Sequence, residues 1–244
     1  MTRLSPGSLA ACLAHRSTES ETLDSSEITP SELERVLRDL GRFNGTMFGR
    51  TPILRWLKRA LENNPEGKAM HVVDVGCGYG DLLRAVRRWS RRRGVDVALY
   101  GIDLNPETVR IARTATPAED RVDYHIADVF AYQPETPVDL IVSSLFAHHL
   151  SDAVLVRFLR WMEATARCGW LVCDLQRHVV PYAFIGPLGK LSRVHPVVVS
   201  DGRISVARSL TRAEWQERLD EAGISRDEVT IRWFLFRHVI GRLR

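Results

Sequence analysis

The sequence predicts an α/β fold in which helices cover both faces of a doubly wound, seven-stranded, mostly parallel sheet. Between residues 68 and 175, apolar segments of strand length alternate with amphipathic helical segments. Apolar strands that alternate with helices are typical of parallel sheets buried on both faces. The last two apolar segments, in EVTIRWFLFRHVIGRLR, have no helix between them, which predicts an antiparallel last strand.

Residues 1–67 are predicted to form a flexible segment followed by a helical cap. The beginning is rich in Ser, Thr and Glu without a clear period, so part of it is expected to be mobile. In TPSELERVLRDLGRFNG, Thr29 can cap a helix, Pro30 suits its first position, and Glu32 would complete a capping box. A second helix is predicted for TPILRWLKRALE, ending near ENNPEG.

Residues 68–244 then supply the predicted sheet domain. The strand AMHVVDVG leads into the helix YGDLLRAVRRWSRR, and VDVALYGIDL leads into a helix capped by Asn105. The strands RVDYHIADV and VDLIVSSLF follow, then the helix SDAVLVRFLRWMEATAR and the strand GWLVCDL. A helix with a Thr211–Glu214 capping box precedes the final pair of strands.

Length and composition are those of an ordinary globular protein: of 244 residues, 45% are hydrophobic and 26% charged. No run of about 18 apolar residues is present, so no membrane span is predicted. No signal peptide is recognisable, which makes a cytoplasmic location the expectation. Reduced, mostly buried thiols and no metal site are expected, because no C-x-x-C pair or Cys/His cluster occurs among Cys12, Cys77, Cys168 and Cys173.

The net charge of +4 and the pI near 9.1 owe much to RRWSRRRG, residues 87–94. Such a run can bind nucleic acid. It also suits the last turn of a helix, where cations oppose the macrodipole and stay solvated. We favour the helix interpretation and expect no nucleic-acid partner, because no aromatic platform accompanies the run.

The glycine-rich stretch VVDVGCGYGDLLR follows a strand and opens a helix. Gly76, Gly78 and Gly80 alternate with other residues, and Asp74 lies two positions before the first of them. At such a junction helix amides point outward and glycine lets the backbone approach a ligand, as in nucleotide sites. The stretch contains no lysine of the kind found in a P-loop.

Carboxylates also follow the next two strands. Asp103, in GIDLNP, is placed to accept hydrogen bonds from the two hydroxyls of a ribose. Asp128, in IADVF, is placed to accept from an adenine amino group, between the flanking side chains Leu104 and Val129.

These motifs, with VDLIVSSLFAHHL, resemble those of class I S-adenosylmethionine-dependent methyltransferases. The resemblance covers about residues 68–175 and, more loosely, the last helix and strands. It implies a Rossmann-like methyltransferase fold and S-adenosylmethionine as cofactor, with S-adenosylhomocysteine (SAH) as product. A dehydrogenase or a non-catalytic nucleotide-binding domain is the alternative. The implied cofactor residues are Asp74, Gly76, Cys77, Gly78 and Gly80 for the methionine end, Asp103 for ribose, Leu104, Ala127, Asp128 and Val129 for adenine, and Ser143 or Ser144 for the methionine amine or carboxylate.

The N-terminal helices often close over the cofactor in small-molecule members of this family. By that resemblance Arg42, Asn44 or Arg50 would touch the methionine carboxylate. The alternative is that these arginines are solvated residues on an amphipathic helix.

The acceptor is predicted to be small. SSLFAHHL replaces the Asp/Asn-Pro-Pro-aromatic signature of nucleic-acid amino methyltransferases, and it resembles the ending seen in ubiquinone/menaquinone-type enzymes. His148 or His149 would deprotonate an acceptor hydroxyl, with His149 preferred. The alternative is that one imidazole packs and the other caps the following helix. His178, after the strand ending in CDLQRH, is a further candidate base, and Asp174, Gln176 and Arg177 are expected on the same rim.

Residues 176–210 are predicted to be a lid insertion, since related enzymes build an acceptor lid after the fifth strand; a helix that simply packs on the sheet is the alternative. A turn is expected at Asp201-Gly202. The order of Asp201, Gly202, Ser205, Arg208 and Thr211 resembles bacterial methyltransferases of polyketide-type or phenolic secondary metabolism. An apolar wall for the acceptor is expected from Tyr182, Phe184, Ile185, Leu188 and Leu191.

The sequence therefore predicts a methyltransferase, monomeric or homodimeric, for an aromatic or polyketide-like acceptor. O-methylation of a phenolic or enolic hydroxyl is preferred, and C- or N-methylation of a small molecule is the alternative. An RNA or protein methyltransferase and a non-catalytic cofactor-binding partner of another subunit are the remaining hypotheses.

Overall fold

The computed structural model describes residues 13–25, 28–62 and 69–244, within which seven strands form one sheet. Their order across the sheet is β3-β2-β1-β4-β5-β7-β6. β7 pairs antiparallel with both β5 and β6, and the other neighbouring strands pair in parallel, so the predicted fold class is confirmed. The strands are β1 Met70–Val75, β2 Val97–Asp103, β3 Val122–Ile126, β4 Leu140–Ser144, β5 Gly169–Leu175, β6 Thr230–Phe234 and β7 Arg237–Leu243.

Eight α-helices lie in the described part of the chain, and most begin where the sequence signals place them. Thr29 accepts a hydrogen bond from the Glu32 amide, and both arms of the Thr211–Glu214 capping box are formed. The helices are α1 Pro30–Thr46, α2 Thr51–Glu62, α3 Asp81–Arg93, α4 Pro106–Ala115, α5 Asp152–Thr165, α6 Val179–Ser192, α7 Pro196–Arg208 and α8 Arg212–Ala222.

Two apolar clusters cover the two faces of the sheet. Alternate residues of β1 divide between them: Val73 packs with Phe158 and Trp170, and Val72 packs with the α2 residue Leu57. Burying a side chain of this size contributes roughly 1.5–3 kcal/mol. The alternation thus decides which face of the sheet each β1 side chain packs on.

The segment 13–25 is held against the domain, although the sequence shows no period there. Ser17 donates its amide hydrogen to the Ala207 carbonyl, and Leu23 donates to the Asp201 carboxylate. Arg16 donates to the carbonyls of Leu150 and His148. We call residues 13–25 the N-terminal strap. Cys12 lies outside the described residues.

The insertion after β5 consists of two packed helices, and the expected turn at Asp201-Gly202 is wrong. Both residues lie inside α7. Gly202 allows this helix to pack closely on α6, since an added Cβ would lie 3.2 Å from Ile185. Gly189 plays the same part, since its Cβ would lie 2.3 Å from Val199. The small residues thus bring α6 and α7 together.

The arginine run at the end of α3 is partly engaged within the protein. Arg91 forms an ion pair with Asp120 at 2.8 Å, and Arg87 donates to the Asp120 carbonyl. Among the described cysteines, Cys77 and Cys173 are buried, Cys168 is half-buried, and none is in a disulfide. No helix in the described ranges has the length and apolar character needed to cross a bilayer.

Candidate active site

A cavity of about 1130 Å³ opens at the carboxyl ends of the parallel strands. Ligand pockets in proteins usually enclose about 300–1,000 Å³, so this cavity has room for two small molecules side by side. Its walls come from the loops after β1, β2, β3 and β4, from α1, from the strap, and from α6 and α7. Open α/β sheets place their ligands at this edge.

The glycine loop after β1 approaches the cavity with its backbone. Gly76 has φ of 69°, and a Cβ there would lie 2.6 Å from the Phe146 ring, so only glycine fits. Gly78 has φ of 50° and has open space where its Cβ would be. Gly78 therefore presents bare backbone to the cavity. Cys77 also lines the cavity.

Asp74 lies beneath this loop with its carboxyl group buried. The residue is 2% exposed, and its Oδ1 atom has no hydrogen-bond partner. Burial, followed by the nearby charges of Asp81 and Asp103, raises the pKa of Asp74 well above its usual value. An ammonium group in the cavity would satisfy this carboxyl, so the site fits the methionine amine of the family's cofactor.

The acidic residues after β2 and β3 also line the cavity where the sequence places them. Asp103 accepts hydrogen bonds from the amides of Gly78 and Asn105 at 3.1 and 3.0 Å, which ties it to the glycine loop. Burial raises the pKa of Asp103. Leu104 is 72% exposed beside it, which leaves an apolar surface open to a flat ring. Ala127, Asp128 and Val129 complete this end of the cavity.

Two of the predicted cofactor residues lie away from the cavity. Ser143 is fully buried and donates to the Val75 carbonyl at 3.0 Å, so Ser144 is the serine that lines the cavity. The Arg42 side chain is 76% exposed and lies 3.8 Å from Asp39. On the same side, Asn44 and Arg50 do line the cavity, with Arg50 paired to Asp81 at 2.7 Å.

His148 is buried between two carboxylates. Its Nδ1 lies 2.7 Å from Asp174 Oδ1, its amide donates to Asp174 Oδ2, and its Nε2 lies 3.4 Å from Glu21. Burial alone lowers the pKa of His148, but the Asp174 charge and hydrogen bond, followed by Glu21, outweigh it and raise the pKa to about 9. The raised pKa favours the protonated form of His148 at neutral pH, in which Nε2 has no lone pair to accept a proton.

His149 faces the cavity and is only half-buried. Its Nδ1 lies 3.1 Å from Asp24 Oδ2, and its Nε2 lies 3.8 Å from Glu21 Oε2. Neither histidine caps α5, because Ser151 supplies that cap. The ligand atoms of Glu21, His148 and His149 lie within 4.8 Å of one another, although ion pairs already engage each side chain. That the protein needs no metal stays a prediction.

Glu21 and Asp24, which the sequence analysis missed, come from the N-terminal strap. Glu21 is buried and accepts a hydrogen bond from Ser205 at 2.9 Å. Arg208 lies 3.3 Å from Asp24 and 3.9 Å from Glu21. Ser205 and Arg208 belong to the α7 motif singled out in the sequence. Nothing in the aperiodic strap itself marks these acids as site residues, because their contacts span more than a hundred positions.

The polar residues at the end of β5 and just after it were expected on the rim of the cavity, but they do not line it. His178 caps α6 and packs edge-on against Trp233, Gln176 bonds the Leu235 carbonyl, and Asp174 turns to His148. Arg177 is buried against Glu214. Of the predicted apolar wall, Ile185 lines the cavity, and Val198 on α7 joins it. Of the other expected wall residues, Phe184 stacks on Phe236, Leu188 faces a separate small pocket, and Leu191 is exposed.

Comparison with known proteins identifies a methyltransferase domain in the chain. Residues 72–169 match the family model for a methyltransferase domain. Over 93 residues the chain is 38% identical to trans-aconitate 2-methyltransferase of Azoarcus sp. (strain BH72), covering 38% of this chain and 34% of that protein. Over 130 residues it is 29% identical to ajmaline N-methyltransferase of Rauvolfia serpentina, covering 49% and 42%. The match thus spans less than half the length of these curated relatives.

Solved structures share the fold at low sequence identity. The plantazolicin methyltransferase BpumL, in complex with a monoazolic desmethylPZN analog and SAH, matches with a TM-score of 0.60 and 15% identity over 88% of this chain and 98% of that one. A putative O-methyltransferase from Nostoc punctiforme PCC 73102 matches with a TM-score of 0.62 and 15% identity over 98% and 68%. At these identities the likeness shows the fold. The domain match in turn shows that residues 72–169 form a methyltransferase domain.

Proposed function

We propose that the protein moves a methyl group from S-adenosylmethionine to a phenolic or enolic oxygen of a small, largely apolar acceptor. The observation that carries the proposal is His149, an imidazole that lines the cavity and is held by Asp24. When bound, the cofactor supplies an electrophilic methyl group on a sulfonium. The residues of the protein then have to align the acceptor, exclude water and remove a proton.

Proton removal is assigned to His149. A charged Asp24 carboxylate accepts the hydrogen bond from Nδ1, which assigns the proton to Nδ1 and leaves the Nε2 lone pair for an acceptor hydroxyl. The hydrogen bond to His149, opposed in part by burial, lowers the pKa of Asp24. Asp24 therefore stays ionised at neutral pH and stabilises the imidazolium that forms when His149 takes the proton.

His148 has a positioning role in this proposal. As a buried cation between Asp174 and Glu21, it fixes the acid that lies beside His149. The two imidazole rings are 4.3 Å apart, so the orientation of one constrains the other.

The remaining walls suit an apolar acceptor. When a phenolate meets a sulfonium, charge disappears as the new bond forms, and a water-poor apolar surround favours that step. Such surfaces are present on α1, α5, α6 and α7, where Leu37, Leu40, Phe43, Val154, Ile185 and Val198 line the cavity.

A nitrogen acceptor is the alternative, and the name of the Rauvolfia relative, an N-methyltransferase, supports it. A neutral amine can attack without first losing a proton, and a base then contributes little. A carbon acceptor that is already nucleophilic would have the same property. Substitution of His149 separates these possibilities from O-methylation.

The experiment is a screen of phenols with S-adenosylmethionine, followed by kinetics of the wild type, His149→Gln and His178→Gln. For an oxygen acceptor, His149→Gln is expected to lower kcat/KM roughly 10²–10⁴-fold with unchanged SAH affinity. The loss should shrink for more acidic phenols, which ionise without help. His178→Gln, the same change outside the cavity, should retain full activity.

A methyl group found on nitrogen or carbon in every product would contradict O-methylation. Equal rates for His149→Gln and the wild type on a phenol would contradict the base role. A loss that is uniform across phenols of different acidity would also contradict it, because only an assisting base makes the loss depend on the acceptor's own pKa.

A further inference from the structure

Arg237, the first residue of β7, has a side chain that is unusual for a buried cation. The residue is 6% exposed, and it lines the cavity. Its Nη2 donates to the Asn44 side-chain oxygen at 2.9 Å, but its Nη1 is buried without a hydrogen-bond partner. Among the described residues, no carboxylate lies within ion-pair distance of it.

A guanidinium remains charged under all ordinary conditions, so its burial is costly unless an anion or acceptor compensates it. Arg177, buried to a similar degree, shows such compensation: it donates to the carbonyls of Leu13 and Ser209 and pairs with Glu214. Arg237 has instead the neutral amide of Asn44 and the neighbouring thiol of Cys173, whose pKa burial raises. The cation is oriented, but its charge is not neutralised by the protein.

The sheet places this cation on the acceptor side. The cofactor-type residues lie at and after the carboxyl ends of β1, β2 and β3, whereas Arg237 is in register with Leu175 at the end of β5. In the sheet order, β7 lies three strands beyond β1, roughly 14 Å away at about 4.8 Å per strand. His149, on the loop after β4, lies between these two regions in the strand order.

We propose that Arg237, oriented by Asn44, binds a carboxylate on the methyl acceptor. The guanidinium fork matches a carboxylate geometrically, and the bound anion would supply the acceptor that Nη1 lacks. The acceptor class is then a small hydroxy acid with an apolar or aromatic body. Its acid group would lie near the end of β5 and the start of β7, and its hydroxyl would point toward His149. The inference rests on the proposed function for the presence of an acceptor in this cavity.

The test uses matched acids and amides as probes: salicylate with salicylamide, para-hydroxybenzoate with its amide, and para-coumarate with its amide. Each is titrated by calorimetry into the full-length protein saturated with SAH. At least one acid should bind the wild type roughly 10- to 100-fold more tightly than its amide. Arg237→Met should abolish that preference, and Arg237→Lys should keep part of it. Arg232→Met, on the exposed face of β6, is the charge-matched control and should behave as wild type.

Three results would overturn the inference. The first is that no acid binds more tightly than its amide. The second is that the acid preference survives in Arg237→Met. The third is that Arg237→Met weakens SAH binding as much as acid binding, which would place the guanidinium on the cofactor's carboxylate. The ligand-free melting temperature separates folding from binding: removal of an unpaired buried charge should leave it equal or higher, and a large drop would mark Arg237 as structural. Because these readouts need no methyl transfer, they stand or fall separately from O-methylation.

Discussion

At the scale of the residue, two adjacent histidines have different surroundings. They lie in the short 3₁₀ segment Ala147–His149, where successive side chains point about 120° apart. One imidazole therefore turns inward to Asp174 on β5, and the other turns to Asp24 and the cavity. The sequence places the two histidines side by side at a strand end, but it could not distinguish them, because burial and carboxylates distant in sequence decide the surroundings of each one.

The first consequence concerns stability against pH. The folded-state pKa of His148 is about 9, above the unfolded value near 6.5, so folding stabilises its charged form. The stabilisation is complete below about pH 6.5 and is lost as the pH rises through 9. Across that window the free energy of unfolding should fall by on the order of 3 kcal/mol, measured by urea unfolding at successive pH values.

His148→Gln provides the control, since its unfolding free energy should change much less over the same pH range. The carboxylates of Asp174 and Glu21 contribute to stability at the low end of the pH range. Burial raises the pKa of each, but His148 outweighs burial and lowers it. Their contribution to the free energy of unfolding is therefore lost as the pH falls below the usual carboxyl range. A wild-type stability that rises between pH 6.5 and 9 would contradict the assigned protonation of His148.

At the scale of the element, the N-terminal strap completes the site. Arg16 anchors it by four hydrogen bonds, to Asp152 and to the carbonyls of His148, Leu150 and Arg208. The anchor lies a few residues before Glu21 and Asp24, so it sets where those acids stand beside the histidines.

Arg16→Ala should therefore loosen the strap while leaving the sheet folded. Loss of hydrogen bonds to a charged group is expected to raise cleavage within residues 13–25 by limited proteolysis roughly tenfold. Methyl transfer should fall by a similar factor, whereas SAH affinity should change little. Arg38→Ala, which removes only an exposed pair with Glu34 on α1, should match the wild type in both assays. An Arg16→Ala protein with unchanged proteolysis and activity would show that the strap does not position the acids.

Sequence patterns predicted the starts of the helices but not the packing between helices. Caps such as Thr211 are local, so the patterns located helix starts well. Gly202 was misread because glycine signals a turn in isolation, whereas here it lets α7 lie against Ile185. A glycine that serves packing between helices has no local signature. The same applies to the strap, whose order depends on contacts with α7.

At the scale of the whole molecule, the sheet order divides the cavity. The carboxyl ends of β1 and β2 carry Asp74 and Asp103, and Asp128 follows β3. The segment after β4 carries His149, and β7 begins with Arg237. Sequence patterns could locate the residues expected to bind the cofactor, because these residues lie in recognisable motifs at strand ends. The acceptor side could not be predicted in this way, because it is assembled from the strap, α7 and the start of β7, which are distant in sequence.

The most direct test is a calorimetric titration of the protein with SAH and, separately, with NAD, repeated for Asp103→Ala. One SAH molecule should bind per chain, NAD should not bind, and Asp103→Ala should weaken SAH roughly 10- to 100-fold through the lost charge-assisted hydrogen bonds. Asp123→Ala, an exposed carboxylate on β3, should bind SAH as the wild type does. Binding of NAD without binding of SAH would contradict assignment of the glycine loop and Asp103 to an S-adenosylmethionine site.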